Sequence, residues 1–299
     1  MITVFTPAYN RVHCLQELYD SLCAQRFKDF EWIIVDDGSV DSTRDLVSSW
    51  VVMNRHDEVA GFKGSTASGV VIEYIFQPNG GKHRAVNRGV KEAHGELFFI
   101  LDSDDALPQT SLRTVDKYWQ QVKGRNDIGG IAGFMSHRNG VIIGQGNMGD
   151  VLDCNALDLR YKYHVRGDVA EVFRTSVLKE NPFPEFADEF FCPEALVWNR
   201  IAQKYKLRYF REVIYFRDYL DGGLTDKIVS IRMESPVAST THYCELSQYQ
   251  IPFQQKVKAA INYWRFYACL QDKKKAPKLH WKWFWTRPLG VLMHQRDKR

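Results

Sequence analysis

The 299 residues predict an α/β protein with a mostly parallel sheet, an antiparallel extension and a helical C-terminal tail. Three observations carry this. Short continuous apolar runs, Ile2 to Thr6, Trp32 to Val35, Val70 to Phe76 and Leu97 to Leu101, have the composition of strands covered on both faces. Each run ends in a polar or acidic loop and is followed in turn by residues at helical spacing, the βαβ alternation that joins parallel strands. From Ile128 onward the pattern changes to glycine-punctuated strands with a turn signal at Asn139-Gly140, which suits antiparallel pairing.

Taken in order, the first strand runs into Thr6-Pro7-Ala8-Tyr9-Asn10, after which Val12, Leu15, Leu18 and Leu22 predict a helix with Asn10 as its cap. A dinucleotide-binding fold would place G-x-G-x-x-G in that loop, so a proline and a tyrosine there argue against a Rossmann oxidoreductase. The second strand ends in Asp36-Asp37-Gly38-Ser39, and a helix carrying Leu46, Val47 and Trp50 starts behind Asp41-Ser42. Residues 54–69 lack an apolar period and are expected to form a surface loop. The third strand leads into Asn79-Gly80-Gly81-Lys82-His83-Arg84, where glycine amides at a helix start and two cations suit phosphate oxygens.

The fourth strand is expected at the centre of the sheet. At its carboxyl end Asp102, Asp104 and Asp105 arrive within four residues, with no Lys or Arg beside them in sequence, so a positive partner is expected. Oxygen-only ligands outside a strand's carboxyl end suit Mg2+ or Mn2+ carrying a diphosphate. An acidic turn that merely favours the next helix N-terminus is the simpler alternative. Beyond it lie a helical stripe from Leu112 to Val122, a strand and short helix over 167–178, and a Pro-, acid- and aromatic-rich loop before a helix with Leu196, Val197 and Ile201.

Length and a 44% hydrophobic content allow one or two domains, with a division expected between 1–220 and a helical, basic and aromatic extension over 221–299. No apolar run reaches the roughly 18–20 residues of a membrane span, no leader is expected, and six scattered cysteines form no metal or disulfide pattern, so a cytoplasmic setting is expected. Residues 256–299 hold 12 of the 40 Lys+Arg and 2 of the 36 Asp+Glu, a local excess of +10 that leaves −6 elsewhere. With Trp264, Trp281, Trp283, Phe284 and Trp285 interleaved, the tail has the composition of helices at an anionic membrane surface, or of a helix packed on the core with a solvated basic face. No recognition motif supports a nucleic-acid partner.

The ordered set Thr6-Pro7-Ala8-Tyr9-Asn10, Asp36-Asp37-Gly38-Ser39, Asn79-Gly80-Gly81 and Leu101-Asp102-Ser103-Asp104-Asp105 resembles the family 2 inverting glycosyltransferases of GT-A fold, bacterial type. The resemblance implies a nucleotide site from Thr6, Pro7, Tyr9, Asp37, Asn79, Gly80, Gly81, Lys82, Asp102 and Ser103. It implies Mn2+ or Mg2+ on Asp104 with Asp102, and Glu194 as general base, with Glu189 and Asp188 as alternatives because Ala195 stands where many relatives carry Asp. Asp168 and Glu171 are expected on the acceptor side. The implied reaction moves one sugar from a UDP-linked donor to a hydroxyl of a carbohydrate or lipid-linked carbohydrate acceptor in cell-surface glycan synthesis, at the inner membrane face. The Q-x-x-R-W motif of processive members is absent, which favours single-sugar transfer. A nucleotidyltransferase and a non-catalytic nucleotide-binding module are the competing classes.

Overall fold

A computed structural model describes residues 1–57, 61–144, 146, 148–217 and 227–298. The strands are β1 (Ile2–Ala8), β2 (Phe30–Asp36), β3 (Val51–Asp57), β4 (Gly61–Thr66), β5 (Val71–Phe76), β6 (Leu97–Ile100), β7 (Ile128–Ser136), β8 (Ile142–Ile143), β9 (Val151–Cys154), β10 (Val169–Arg174) and β11 (Lys206–Phe216). The helices are α1 (Leu15–Cys23), α2 (Thr43–Ser49), α3 (Lys82–Glu92), α4 (Ser111–Gln120), α5 (Ala156–Tyr161), α6 (Thr175–Glu180), α7 (Glu194–Ile201), α8 (Ile228–Glu234), α9 (Pro236–Leu246), α10 (Phe253–Tyr267) and α11 (Arg287–Asp297). Two compact units result, one of Met1–Pro182 with Ile201–Asp218, the other of Phe183–Arg200 with Tyr219–Arg299. The division expected at residue 220 lies outside the described residues.

The first unit is built on one sheet in the order β3-β4-β5-β2-β1-β6-β10-β7-β11-β9, with β8 paired to β7. β5, β2, β1 and β6 run parallel, while β10 is antiparallel to both β6 and β7. Opposite residues are Phe5, Ile33 and Ile100, and Asp36 with Phe76, so the loops after β1, β2, β5 and β6 leave one edge of the sheet. Leu97, Phe98 and Phe99 are buried, as a strand flanked by β1 and β10 and covered on both faces requires. The hairpin at Asn139-Gly140 forms as expected, with Met135 opposite Ile143 and Gly140 at φ 86.

Two expectations are corrected. Residues 54–69 are largely not a surface loop, because β3 pairs antiparallel with β4 and β4 with β5. Phe62 supplies the burial, its ring stacked on Tyr74 at 4.8 Å. One aromatic in a Gly- and Ser-rich run has no readable period, and strand pairing rather than propensity decides the outcome. Asn10 is not the α1 cap: the helix begins at Leu15 behind Cys14, with no side-chain cap. Asn10 adopts φ 54 and its side-chain oxygen accepts from the Val40 amide, 2.9 Å away, tying the first loop to the second.

In the second unit, Cys244, Ala260, Tyr263, Trp264, Leu279 and Trp283 pack into a separate core that joins α9 and α10 to the segment before α11.

Candidate active site

The two acidic loops meet different partners. Asp36 and Asp37, at the end of β2, are both buried. Asp36 accepts from the Ser39 amide at 2.7 Å and from the Tyr74 hydroxyl. Asp37 accepts from the Gly80 amide (3.0 Å), the Gly81 amide (2.7 Å) and the Gln77 side-chain amide (2.7 Å). The Asn79 side chain donates to the Asp37 carbonyl at 2.8 Å. Gly38, at φ +87, is required here, since a Cβ would lie 2.7 Å from the Asn79 nitrogen. The glycine amides expected to receive phosphate oxygens are therefore occupied by a carboxylate of the chain itself, which holds the loop after β5 against the end of β2.

In the turn after β6 the three carboxylates separate. Asp102 pairs with Lys82 at 2.5 Å. Burial alone would raise its carboxyl, but Lys82, Arg217 and Arg11 outweigh that and hold it below the ordinary range. The positive partner expected of this turn thus comes partly from α3, twenty residues away. Asp105, 4% exposed, accepts from the Tyr215 hydroxyl at 2.6 Å, and the same hydroxyl accepts from the Asp102 amide at 3.0 Å. Burial, with Asp102 and Asp104 nearby, pushes the Asp105 carboxyl up to about 7. Asp104 is half-buried, and its carboxylate has no hydrogen bond or ion pair to another described residue. The turn is pinned by two bonds between Ala106 and Phe216 at the end of β11.

Thr6 is buried and accepts from the Trp32 indole at 3.0 Å, and Pro7 lies opposite Val35 in the sheet. Tyr9 is 49% exposed at the strand end, placed to offer a ring face rather than to fill the core. Ser103 is buried within the turn. Asp168 pairs with Arg217 at 2.9 Å, and Glu171 is half-buried in β10. Tyr215, Arg217 and Arg11 were not among the expected site residues. The only sequence signal for the first two was a further strand ending in Tyr-Phe-Arg, and nothing in its period marks that end as facing β6.

Glu194, Glu189 and Asp188 belong to the second unit. Glu189 is buried and accepts from the Val237 amide (2.6 Å) and the Ala238 amide (2.8 Å), at the open N-terminus of α9. Burial raises its carboxyl against the pull of those amides. Asp188 is exposed at φ 63. Glu194 is the half-buried first residue of α7.

Among the described residues no group of three or more His, Cys, Asp or Glu could hold a metal ion. The chain offers Asp104 and the second oxygen of Asp102. That fits a hard octahedral cation of the Mg2+ or Mn2+ kind, which binds through one or two carboxylates and completes its shell with waters and substrate phosphates.

The Glycosyl transferase family 2 profile matches residues 3–132. A GalNAc(5)-diNAcBac-PP-undecaprenol beta-1,3-glucosyltransferase of Campylobacter jejuni is 28% identical over 207 residues, covering 66% of this chain and 58% of that protein. S. aureus TarS 1-349, solved in complex with UDP-GlcNAc, superposes with a TM-score of 0.61 at 16% identity over 99% of this chain and 92% of that one. The mannosyltransferase PcManGT from Pyrobaculum calidifontis, solved with GDP-Man and Mn2+, gives 0.57 at 16% identity over 100% and 88%. The chain spans 27–58% of the length of the first curated relatives it matches.

Proposed function

Since this chain carries a family 2 glycosyltransferase domain on a GT-A fold, we propose that it transfers a single sugar, with inversion, from a UDP-linked donor to a hydroxyl of a carbohydrate or lipid-linked carbohydrate acceptor in cell-surface glycan synthesis. The observation that carries the reading is the Asp104 carboxylate, left without a partner among the described residues while both of its neighbours are engaged. An acidic turn serving only the fold would be expected to engage all three.

The chain's own residues divide the work. Tyr9 offers a ring face to the base, and Asp37 shapes the nucleotide loop by holding Gly80 and Gly81. Lys82 and Arg217 set the charge beside Asp102 and so leave Asp104 as the uncompensated ligand. Asp104, with Asp102, would hold Mn2+ or Mg2+, which supplies direct neutralisation of the charge that develops on the leaving diphosphate. Glu194 takes the proton of the attacking acceptor hydroxyl as its oxygen bonds the anomeric carbon, and one displacement of this kind inverts that centre. Glu189 is a poor base because both of its oxygens accept helix amides. Among the described residues no helix is long and apolar enough to cross a membrane. The basic, tryptophan-bearing segment 256–299 is what supports a place for the enzyme at the inner membrane face.

The experiment is sugar release from a panel of nucleotide sugars, with and without Mn2+ or Mg2+. Metal-dependent release from a UDP-sugar is expected. Pyrophosphate exchange in its place would assign a nucleotidyltransferase, and binding without turnover a non-catalytic module.

A further inference from the structure

The second unit sorts its aromatic residues in a way that composition could not. In the segment Trp281–Thr286 and in α11, the residues that face the unit's own core are Trp283, Thr286, Gly290 and His294. Gly290 permits this approach, because a Cβ there would stand 2.4 Å from the Trp264 Cβ and 2.6 Å from the Ile261 carbonyl oxygen. Trp264 is buried beneath, its indole donating to the Trp283 carbonyl at 3.4 Å. The helix therefore packs through Gly290 and His294 and turns Leu289, Leu292 and Met293 outward.

The outward side is apolar where a solvated helix would be charged. Leu289 and Leu292, three residues apart on α11, form a ridge and are 46% and 63% exposed, and Trp285, 57% exposed, stands four residues before Leu289 in the 3-10 segment that leads into the helix. Trp281 and Phe284, in the same 3-10 segment, are 75% and 55% exposed. Scattered exposed leucines need no explanation, but a contiguous ridge does. Cations lie near it: Arg296 is one turn beyond Leu292, and the exposed Lys282 and Arg287 carry their charged groups 5.2 and 5.4 Å from the ring centres of Trp283 and Trp264. A cavity of about 380 Å³ opens between the start of α10 and the Trp281–Thr286 segment, lined by Ile251, Phe253, Lys256, Lys282, Trp283 and Trp285.

An apolar ridge rich in tryptophan, bordered by cations and carried on a segment with a +10 excess, is complementary to an anionic bilayer surface. We propose that this face docks in the headgroup layer of an anionic membrane. Trp281, Phe284, Trp285, Leu289 and Leu292 enter the acyl boundary, while Lys256 and Lys282 receive a lipid phosphate in the cavity. Docking requires nothing of the donor site, so the two are separable.

The test is flotation of the full chain with vesicles of phosphatidylcholine alone or mixed with phosphatidylglycerol. Binding is expected to the mixed vesicles, weakened on the order of tenfold or more by Leu289→Ser with Leu292→Ser and by Lys256→Ala with Lys282→Ala, and only the charge-dependent part should fall with salt. Leu289, Leu292 and Lys282 face solvent and Lys256 is half-buried at the cavity, and a thermal melt checks that the variants fold. No binding of the parent to mixed vesicles, or equal binding by parent and ridge variants, would overturn the proposal. So would ridge variants that abolish self-association while leaving vesicle binding intact, which would give the ridge to a second copy. Hydrolysis of a soluble nucleotide sugar, measured without vesicles, reports on the donor site alone, and its failure would leave the vesicle result standing.

Discussion

The ends of β2 and β6 flank β1 on the same edge of the sheet and look alike in sequence: an apolar strand running into closely spaced aspartates. In space they differ. At β2 every carboxylate is closed off by the chain, Asp36 by Ser39 and Tyr74, and Asp37 by Gln77, Gly80 and Gly81. At β6 one is paired with a lysine, one is buried against a tyrosine and Asp104 is left open. The lesson is that an acidic strand end becomes a closed brace or keeps an open carboxylate according to what the neighbouring loops supply.

In the second unit the two acids to compare are Glu194, at the start of α7, and Glu189, held by the amides of α9, and there the largest effect is expected. Glu194→Gln keeps the shape but cannot accept a proton, so transfer should fall on the order of 10²–10⁴-fold while calorimetric affinity for the nucleoside diphosphate barely moves. Glu189→Gln should instead lower the melting temperature with little change in turnover, because it disturbs the N-terminus of α9. Collapse of transfer in the second with near-normal transfer in the first would move the base to Glu189.

Next comes Asp104→Asn, expected to lower turnover by about 10³-fold, the equivalent of several kcal/mol of charge stabilisation, with an unchanged melt. A chelator should bring the parent to the same level. Activity within a few fold of the parent at saturating Mn2+ would show that the open carboxylate is not the metal ligand. Asp37→Asn should behave in the opposite way. It turns an amide toward the Gly80 and Gly81 donors and should destabilise the fold by about 2–3 kcal/mol in denaturant unfolding. A stability loss under about 0.5 kcal/mol would refute its role as a brace.

The smallest effect should come from Asp105. Its carboxyl is pushed up from the ordinary 3.8 to about 7, so the folded state holds a proton that the unfolded state releases. Stability is then present below the unfolded value and is lost as pH rises through the folded one. Asp105→Asn removes that dependence and should be more stable than the parent above pH 7 by on the order of 1–2 kcal/mol. The difference should shrink as pH falls toward about 4. Parallel pH-stability curves for the two proteins would show that this carboxyl is not held in its protonated form.

Much was legible in the chain alone. The runs at β1, β2, β5 and β6, the helices that follow them, the Asn139-Gly140 hairpin and the order of the loops are written in apolar period and turn chemistry, because burial repeats with the geometry of strand and helix. The motifs that carry the family resemblance lie on those loops, within the residues 3–132 that the family 2 profile matches. Partnership was not. Lys82 reaches Asp102 and Tyr215 reaches Asp105 from 20 and 110 positions away, the amides of Gly80 and Gly81 turn to Asp37 rather than outward, and β4 exists because β5 and Phe62 draw it into the sheet. The tail's tryptophans likewise read as one composition, and only packing around Gly290 divided them into buried and exposed. Period records whether a residue is covered, whereas the charge or donor that meets it comes from distant chain brought near by the fold. The roles of Asp37, Asp102, Asp104 and Asp105 therefore diverge only in the tertiary structure.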